Sequence, residues 1–137
     1  KFKKSQIKSI KELSLYLIKK YKIKSSNILG HSDIAFDRKK DPGEKFPWKY
    51  LASKKIGIWH KIEEIKLKKF RKKKISNIEM TMFIKYLNKI GYFTRSLTNS
   101  KKLRLAQSFQ RRFRQNLING KIDRECLIIA EKLSKLF

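Results

Sequence analysis

The side chains most able to carry out chemistry lie close together in one short stretch of the chain. His31 is followed within ten positions by six charged residues, among them Asp33, Asp37, Lys39 and Asp41. Imidazole and carboxylate are good zinc ligands, and a catalytic zinc takes three protein ligands and leaves a fourth position for water. A lysine ammonium beside such a site can stabilise a developing oxyanion. The residue types are therefore compatible with a hydrolytic metal site, and equally with a strand-end histidine followed by solvated charges.

The elements that must position these residues can be predicted from the pattern around them. Between residues 5 and 21, apolar side chains recur at three- and four-residue steps, which predicts a helix packed on one side. Residues 27–31 are short and mainly apolar after a Ser-Ser break, which predicts a buried strand ending at His31. Residues 32–46 contain Asp, Pro and Gly without a sustained period, which predicts a structured loop. Pro47 then suits the start of a short helix.

A lysine-rich segment separates this half from three further predicted helices. We expect it to be a solvated connector with a domain boundary near residues 60–75. Ser76 and Glu79 have capping-box spacing, and Gly91 closes the helix that follows. A second helix covers about residues 100–116, and a third begins at Asp123 as N-cap. Each has one apolar face, so the three can form a small bundle by packing on one another. The apolar faces predicted to pack in this bundle contain Ile78, Met82, Phe83, Tyr86, Leu87, Ile90, Leu105, Ala106, Phe109, Phe113, Cys126, Leu127, Ile129, Ala130, Leu133 and Leu136.

Composition narrows the function classes without deciding between them. The 137 residues contain 37 Lys+Arg against 11 Asp+Glu, a net charge of +26. Such a surplus points to a polyanionic partner, such as nucleic acid, an anionic membrane surface or an acidic wall polymer. A hydrophobic fraction of 40% excludes a disordered basic tail, and no stretch approaches the roughly 20 apolar residues of a membrane span. The one cysteine, Cys126, excludes an intrachain disulfide and a multi-cysteine zinc site.

The arginines support a rival hypothesis, a basic helical nucleic-acid-binding protein. They cluster around two phenylalanines in the second helix of the bundle, at Arg104, Arg111, Arg112 and Arg114. Phe109 and Phe113, at four-residue spacing, are predicted to face the core, and the arginines between them the surface. The helix lacks a clustered recognition motif, so we expect salt-sensitive, sequence-independent attraction and no specific nucleic-acid partner.

Several longer motifs run through the whole chain. They are Gly30-His31-Ser32-Asp33-Ile34-Ala35, Arg38-Lys39-Lys40-Asp41-Pro42-Gly43, Phe46-Pro47-Trp48, Ile56-Gly57-Ile58-Trp59, Ile90-Gly91-Tyr92 and Ser108-Phe109-Gln110-Arg111-Arg112-Phe113-Arg114. This series resembles the zinc-dependent N-acetylmuramoyl-L-alanine amidases. It is most similar to their two-domain bacterial amidase D type, which releases the stem peptide from muramic acid or its 1,6-anhydro form.

The resemblance implies a fold and a set of site residues. The chain is expected to be mainly α, with residues 1–62 forming the C-terminal part of an α/β zinc amidase domain (helix, strand and ligand loop). Residues 63–75 would be a basic linker, and residues 76–137 a three-helix peptidoglycan-binding-like domain. His31 and Asp41 would be two of three Zn²⁺ ligands, Lys39 would polarise the scissile carbonyl, and Asp33 would be structural.

The resemblance also implies what must complete the site. In family members the first zinc histidine and the glutamate general base lie upstream, and the chain begins at Lys1 rather than Met, so we expect a preceding segment or another chain to complete the sheet. Without it the residues should be inactive or very weakly active. The other histidine, His60, is predicted to be exposed and not a ligand. Peptidoglycan or muropeptides would be the partners, in the bacterial cell envelope (periplasm or outer-membrane associated). A non-catalytic wall-binding remnant is a third hypothesis.

Overall fold

Local sequence signals set most of the helix boundaries. The computed structural model describes residues 2–137, and these residues contain seven α-helices and one 3₁₀ turn. The helices are α1 (Lys4–Tyr21), α2 (His31–Ile34), α3 (Trp48–Ser53), α4 (Glu64–Lys68), α5 (Asn77–Ile90), α6 (Asn99–Phe113) and α7 (Arg124–Ser134), and the turn is Ser25–Asn27. No strand is formed within the described range, so the predicted mainly α class is confirmed. None of these helices is both long and apolar enough to cross a bilayer.

The predicted strand over residues 27–31 is wrong. Ile28 and Gly30 have extended backbone angles, with φ −97° and −84°, but His31 begins α2 instead of ending a strand. Extended backbone becomes a strand only when a neighbouring strand pairs with its N–H and C=O groups. Residues 2–137 offer no such neighbour, and the carbonyl of Ile28 instead accepts a hydrogen bond from Arg112 Nη2 at 2.9 Å.

The caps predicted for the C-terminal helices are confirmed. The backbone N–H of Glu79 donates to Ser76 Oγ at 3.2 Å, and the Glu79 carboxylate accepts from the Ser76 N–H at 2.8 Å. Gly91 ends α5 with φ +110°, a left-handed conformation that favours glycine. Asp123 caps α7 by accepting from the Cys126 N–H at 3.1 Å. These contacts satisfy backbone groups that the helix ends would otherwise leave unpaired.

The three C-terminal helices pack around one apolar core. Phe83 and Phe109 are completely buried, and their rings meet edge to face at 5.3 Å. The core also contains Phe36 and Ile58, which come from the first half of the chain. A smaller cluster, formed by Phe46, Trp48, Leu51 and Ile56, lies beside it. The loop over residues 31–46 therefore contributes side chains to both clusters.

The lysine-rich segment is less solvated than predicted. Leu67 of α4 is buried in the main core, and Arg71 forms a bidentate ion pair with Glu125 at 2.7 and 2.8 Å. The lysines of the segment point outward, because their charge is most stable in water. The division into residues 1–62, 63–75 and 76–137 stays a prediction.

Helix α1 is packed less closely than its periodicity predicts. None of its residues is buried, although Ile10 and Ile18 touch the smaller cluster. Leu13 and Tyr21, predicted to share that packed face, are 60% and 62% exposed. The helix keeps its shape through its own backbone hydrogen bonds. An apolar stripe shows which face of a helix could pack, but it does not supply the neighbouring surface that would cover that face.

Candidate active-site loop

His31 and Asp41 meet at the two ends of the loop, as the resemblance implied for two ligands of one metal ion. The Nδ1 atom of His31 lies 3.2 Å from Oδ2 of Asp41. The side chains are 47% and 63% exposed, so both open to solvent. The backbone N–H of Ser32 donates to the Asp41 carbonyl at 3.0 Å and closes the loop beneath them.

The pair fits two ligands of one zinc ion. Ligand atoms bound tetrahedrally at about 2.0–2.2 Å are about 3.3–3.6 Å from each other, close to the observed separation of 3.2 Å. No cluster of three or more histidine, cysteine, aspartate or glutamate residues that could hold a metal occurs within residues 2–137. His31 and Asp41 are thus the two candidate ligands at this point of the described structure.

Lys39 lies in the same loop, half-buried, two residues before Asp41. Its backbone N–H donates to the Ala35 carbonyl at 2.8 Å, which continues the turn that follows α2. Asp37, also raised as a candidate, turns its carbonyl towards Arg104 of α6, which donates to it. Lys39 thus belongs to the turn between the paired residues, and Asp37 contacts α6.

Gly30 is required where the loop ends cross. A Cβ atom at this position would lie 2.9 Å from Cδ of Pro42 and 3.1 Å from the Trp48 ring. Both neighbours are rigid rings, so neither can move aside easily. The absence of a side chain at Gly30 lets Asp41 approach His31.

Asp33 is buried beneath the two candidate ligands. Its Oδ2 atom accepts from the Gly30 N–H at 2.7 Å and from Arg112, and its Oδ1 accepts from the Tyr92 hydroxyl at 2.7 Å. Burial, together with the negative charge of Asp33, raises the pKa of Tyr92 well above its usual value, so Tyr92 stays protonated and donates. With both oxygens occupied, Asp33 orients the start of α2, in agreement with the structural role implied for it.

Arg112 of α6 holds the loop from the other side. Its Nη1 pairs with Asp33 and its Nη2 donates to the Ile28 carbonyl, so it contacts the chain on both sides of Gly30. Its guanidinium lies 4.1 Å from the centre of the Trp48 ring, a cation–π arrangement. Ser108, one turn earlier, donates to the Ser32 carbonyl at 2.6 Å.

Comparisons with known proteins agree with this geometry. The N-acetylmuramoyl-L-alanine amidase family matches residues 1–44, up to the end of the paired-ligand loop. The amidase AmiD of Escherichia coli is 33% identical over 133 residues, which cover 96% of this chain and 48% of AmiD. The solved complex of AmiD with anhydro-N-acetylmuramic acid-L-Ala-D-γ-Glu-L-Lys matches 99% of this chain and 53% of its own, at 32% identity and a TM-score of 0.83. The resemblance to the amidase D type is confirmed.

A second solved relative extends the comparison. AmpDh3 of Pseudomonas aeruginosa has a TM-score of 0.83 at 27% identity and matches 99% of this chain and 54% of its own. It has also been solved with an anhydromuramic pentapeptide. The amidase D-like chain therefore spans about half the length of the relatives it matches.

Both arginines that the sequence placed on the surface, between Phe109 and Phe113, are buried, and so is Arg114 of the same cluster. Arg111, Arg112 and Arg114 are only 8%, 2% and 4% exposed. Arg114 pairs with Asp123 at 2.5 Å and with Glu125 at 3.3 Å, which joins α6 to α7. Periodicity could not show this, because the partners lie on other elements. Because only Arg104 of the cluster is exposed, α6 does not present the arginine-rich surface that the nucleic-acid hypothesis requires.

His60 is also buried, which contradicts the prediction that it is exposed. It is 8% exposed, and its Nε2 donates to the Phe113 carbonyl at 3.2 Å. Its ring stacks on that of Trp59, with centroids 5.0 Å apart. Burial lowers the pKa of His60, so it packs as a neutral ring. The Phe113 carbonyl lies at the end of α6, 53 positions along the chain from His60, so local sequence patterns do not predict this contact.

Sequence reasoning missed the residues that anchor the loop of this amidase D-like chain. Tyr92, Ser108 and Arg112 all lie in motifs that carry the resemblance, yet no local pattern pairs them with Ser32 or Asp33. The one available signal was the unusual arginine and serine content on a helix that also supplies core phenylalanines.

Proposed function

We propose that this chain is part of a peptidoglycan hydrolase that cleaves the amide between the lactyl group of N-acetylmuramic acid, or its 1,6-anhydro form, and L-alanine. The observation that carries the proposal is the convergence of His31 Nδ1 and Asp41 Oδ2 at 3.2 Å, in a chain similar to named amidases. Relatives solved with anhydromuramic peptides support a muropeptide ligand.

Each candidate residue of the loop would have a separate role in the cleavage reaction. His31 and Asp41 would hold Zn²⁺, which when bound activates water and polarises a carbonyl. His31 must present an unprotonated Nδ1 to act as a ligand, while Asp41 brings a negative charge. Lys39 would place its ammonium near the scissile carbonyl oxygen, where negative charge develops during attack by water. The amide C–N bond breaks to give a lactyl carboxylate and the free amine of the stem peptide.

The same proposal covers the groups that would complete the site and the role of the C-terminal helices. A third zinc ligand and a general base would come from a segment preceding these residues or from another chain, as in the resemblance. The exposed face of α1, with Leu13 and Tyr21, is where such a segment would find apolar surface to cover. Helices α5 to α7 would serve as a wall-binding unit, and the protein would act in the bacterial cell envelope.

The test compares two proteins. One is the 137-residue chain, and the other is the same chain fused behind the N-terminal half of E. coli AmiD, which the resemblance predicts to supply the missing ligand and base. Calorimetry measures zinc binding, and mass spectrometry measures cleavage of an anhydromuramic peptide. We expect tight zinc binding and cleavage in the fusion only.

His31→Ala provides the decisive variant. Loss of one of three ligands should remove both zinc binding and cleavage from the fusion. Lys39→Met should leave zinc binding in place and reduce cleavage, whereas Lys40→Met, its neighbour in the same loop, is the matched control. A fusion that binds zinc but cleaves nothing favours the non-catalytic wall-binding remnant. Cleavage that survives His31→Ala contradicts the proposal.

A further inference from the structure

One face of α6 lies along the candidate active-site loop. Arg104 donates to the carbonyl of Asp37, and Ser108 donates to that of Ser32 at 2.6 Å. Gln115, just beyond the helix, donates to the carbonyl of Phe46 at 2.8 Å. Positions 104, 108 and 111 are three or four residues apart, which places them on one side of the helix, and position 115 continues this spacing beyond its end. Three of these four side chains use their polar groups on the loop backbone.

Arg111, the fourth member of this face, forms no hydrogen bond with the loop backbone. It is 8% exposed, and its Nε is buried without a hydrogen-bond partner. Within residues 2–137 no carboxylate forms an ion pair with it, although Arg112 and Arg114 on either side have Asp33 and Asp123. Burial lowers the pKa of Arg111, and Glu44 and Tyr92 offset this only in part, through longer-range charge interactions.

A guanidinium whose Nε is buried without a partner is incompletely hydrogen-bonded. Native structures usually supply a counterion to a charge that is largely removed from water. Guanidinium binds carboxylate best, because its planar fork donates two parallel hydrogen bonds. Arg111 is therefore the side chain of this face that is free to bind an anion alongside the loop.

The ligand of the AmiD complex shows which anions are available. It carries L-Ala-D-γ-Glu-L-Lys. A glutamate linked through its γ-carboxyl keeps a free α-carboxylate, and the terminal lysine carries a second. The first lies one residue beyond the amide that the proposed reaction cleaves.

We propose that Arg111 binds a free carboxylate of the stem peptide and makes the site select acidic muropeptides. This inference rests on the proposed function, because it places the peptide along the same loop. It adds a substrate-binding residue from the C-terminal helices to a site whose candidate ligands in this chain, His31 and Asp41, lie in the first half.

The test measures binding of three ligands to the chain treated with a chelator, so that no cleavage can follow. The ligands are anhydro-N-acetylmuramic acid-L-Ala-D-γ-Glu-L-Lys, the same compound amidated at the glutamate α-carboxyl, and the compound amidated at the C-terminus. Calorimetry and backbone NMR shifts of residues 31–46 give the dissociation constants. We expect amidation of one carboxylate to weaken binding on the order of tenfold.

Arginine substitutions test whether Arg111 causes the preference for ligands with both carboxylates free. Arg111→Gln should bind all three ligands equally, and Arg111→Lys should keep part of the preference. Arg95→Gln, which removes an exposed arginine, should behave as the wild type. Preference for one amide over the other identifies which carboxylate is bound. Equal binding by the wild type, a preference that survives Arg111→Gln, or no binding overturns the inference, while the zinc and cleavage measurements on the fusion decide the proposed function separately.

Discussion

Arg112 on α6 and Asp33 in α2 form an ion pair in which each side chain is only 3% exposed, although 79 positions separate them in the chain. Asp33 also binds the N–H of Gly30, the residue before the candidate ligand His31. The C-terminal helices thereby fix the loop that carries the proposed zinc ligands. This contact couples the two halves of the chain, so substitutions in the C-terminal helices should change the position of His31.

Loss of this pair should destabilise the fold. Arg112→Gln leaves the Asp33 charge buried without its partner, which typically costs about 3–5 kcal/mol. Urea unfolding followed by circular dichroism gives the difference. Arg124→Gln is the matched control, because Arg124 pairs with Glu79 but is 38% exposed, and such pairs contribute about 0–1 kcal/mol. Equal effects in the two variants would contradict the anchoring role of Arg112.

Gly30→Ala should separate the two candidate ligands. The new Cβ would meet Pro42 and Trp48 at 2.9 and 3.1 Å, and overpacking of this kind costs about 1–3 kcal/mol. NMR contacts between the His31 ring and Asp41 should weaken. Gly43→Ala in the same loop has no heavy atom within 4 Å of its added Cβ, so it reports only the backbone strain of φ +82°. Undisturbed His31 and Asp41 contacts in Gly30→Ala would show that the loop can absorb the side chain.

Phe109→Ala should remove part of the main core. Phe109 is completely buried and lies 5.3 Å from the rings of both Phe83 and Phe113. Deletion of a buried phenylalanine typically costs about 3–5 kcal/mol. Thermal unfolding measures the loss, and Phe93→Ala, which changes a 60% exposed ring, is the control. An unchanged melting temperature would contradict the packing described for α6.

Cys126 should resist thiol reagents while the chain is folded. Its side chain is completely buried, and burial raises its pKa to about 12, so little thiolate exists at neutral pH. A chromogenic disulfide reagent should react slowly in buffer and rapidly in denaturant. Fast labelling of the native chain would mean that α7 opens readily.

Stability should fall as the pH drops below about 6.5, through His60. Burial lowers the pKa of His60 from its usual 6.5, so the unfolded chain takes up the proton first as the pH decreases. Unfolding is then favoured, by at most about 1.4 kcal/mol per pH unit, until the pH reaches the folded-state pKa. The measurement is the unfolding free energy of wild type and His60→Gln between pH 7.5 and 5. The difference isolates His60, because both proteins contain His31, and a pH-independent difference would contradict the prediction.

The sequence by itself determined α1, α3 and α5 to α7, with the caps of α5 and α7, but not α2 or α4. The Ser76–Glu79 box, Gly91 and Asp123 act on backbone groups within a few residues, so their effects can be read locally. The pairing of His31 with Asp41 was expected from the family resemblance, which implied that both bind one metal ion. Core positions such as Phe109 followed from the helical period.

Only the tertiary structure decided the state of the polar residues. Arg104, Arg111 and Arg112 lie on α6 and Arg114 follows its last residue, yet one of the four is exposed, two are paired and one forms no ion pair. The difference depends on which carboxylates approach from α2, α7 and the loop, and those approaches span up to 79 positions. The same holds for His60 and for the extended residues before His31, because burial and strand pairing depend on neighbours that are distant in sequence. Local periodicity carries information on conformation, whereas the partners of a buried charge are fixed by the packing of the whole chain.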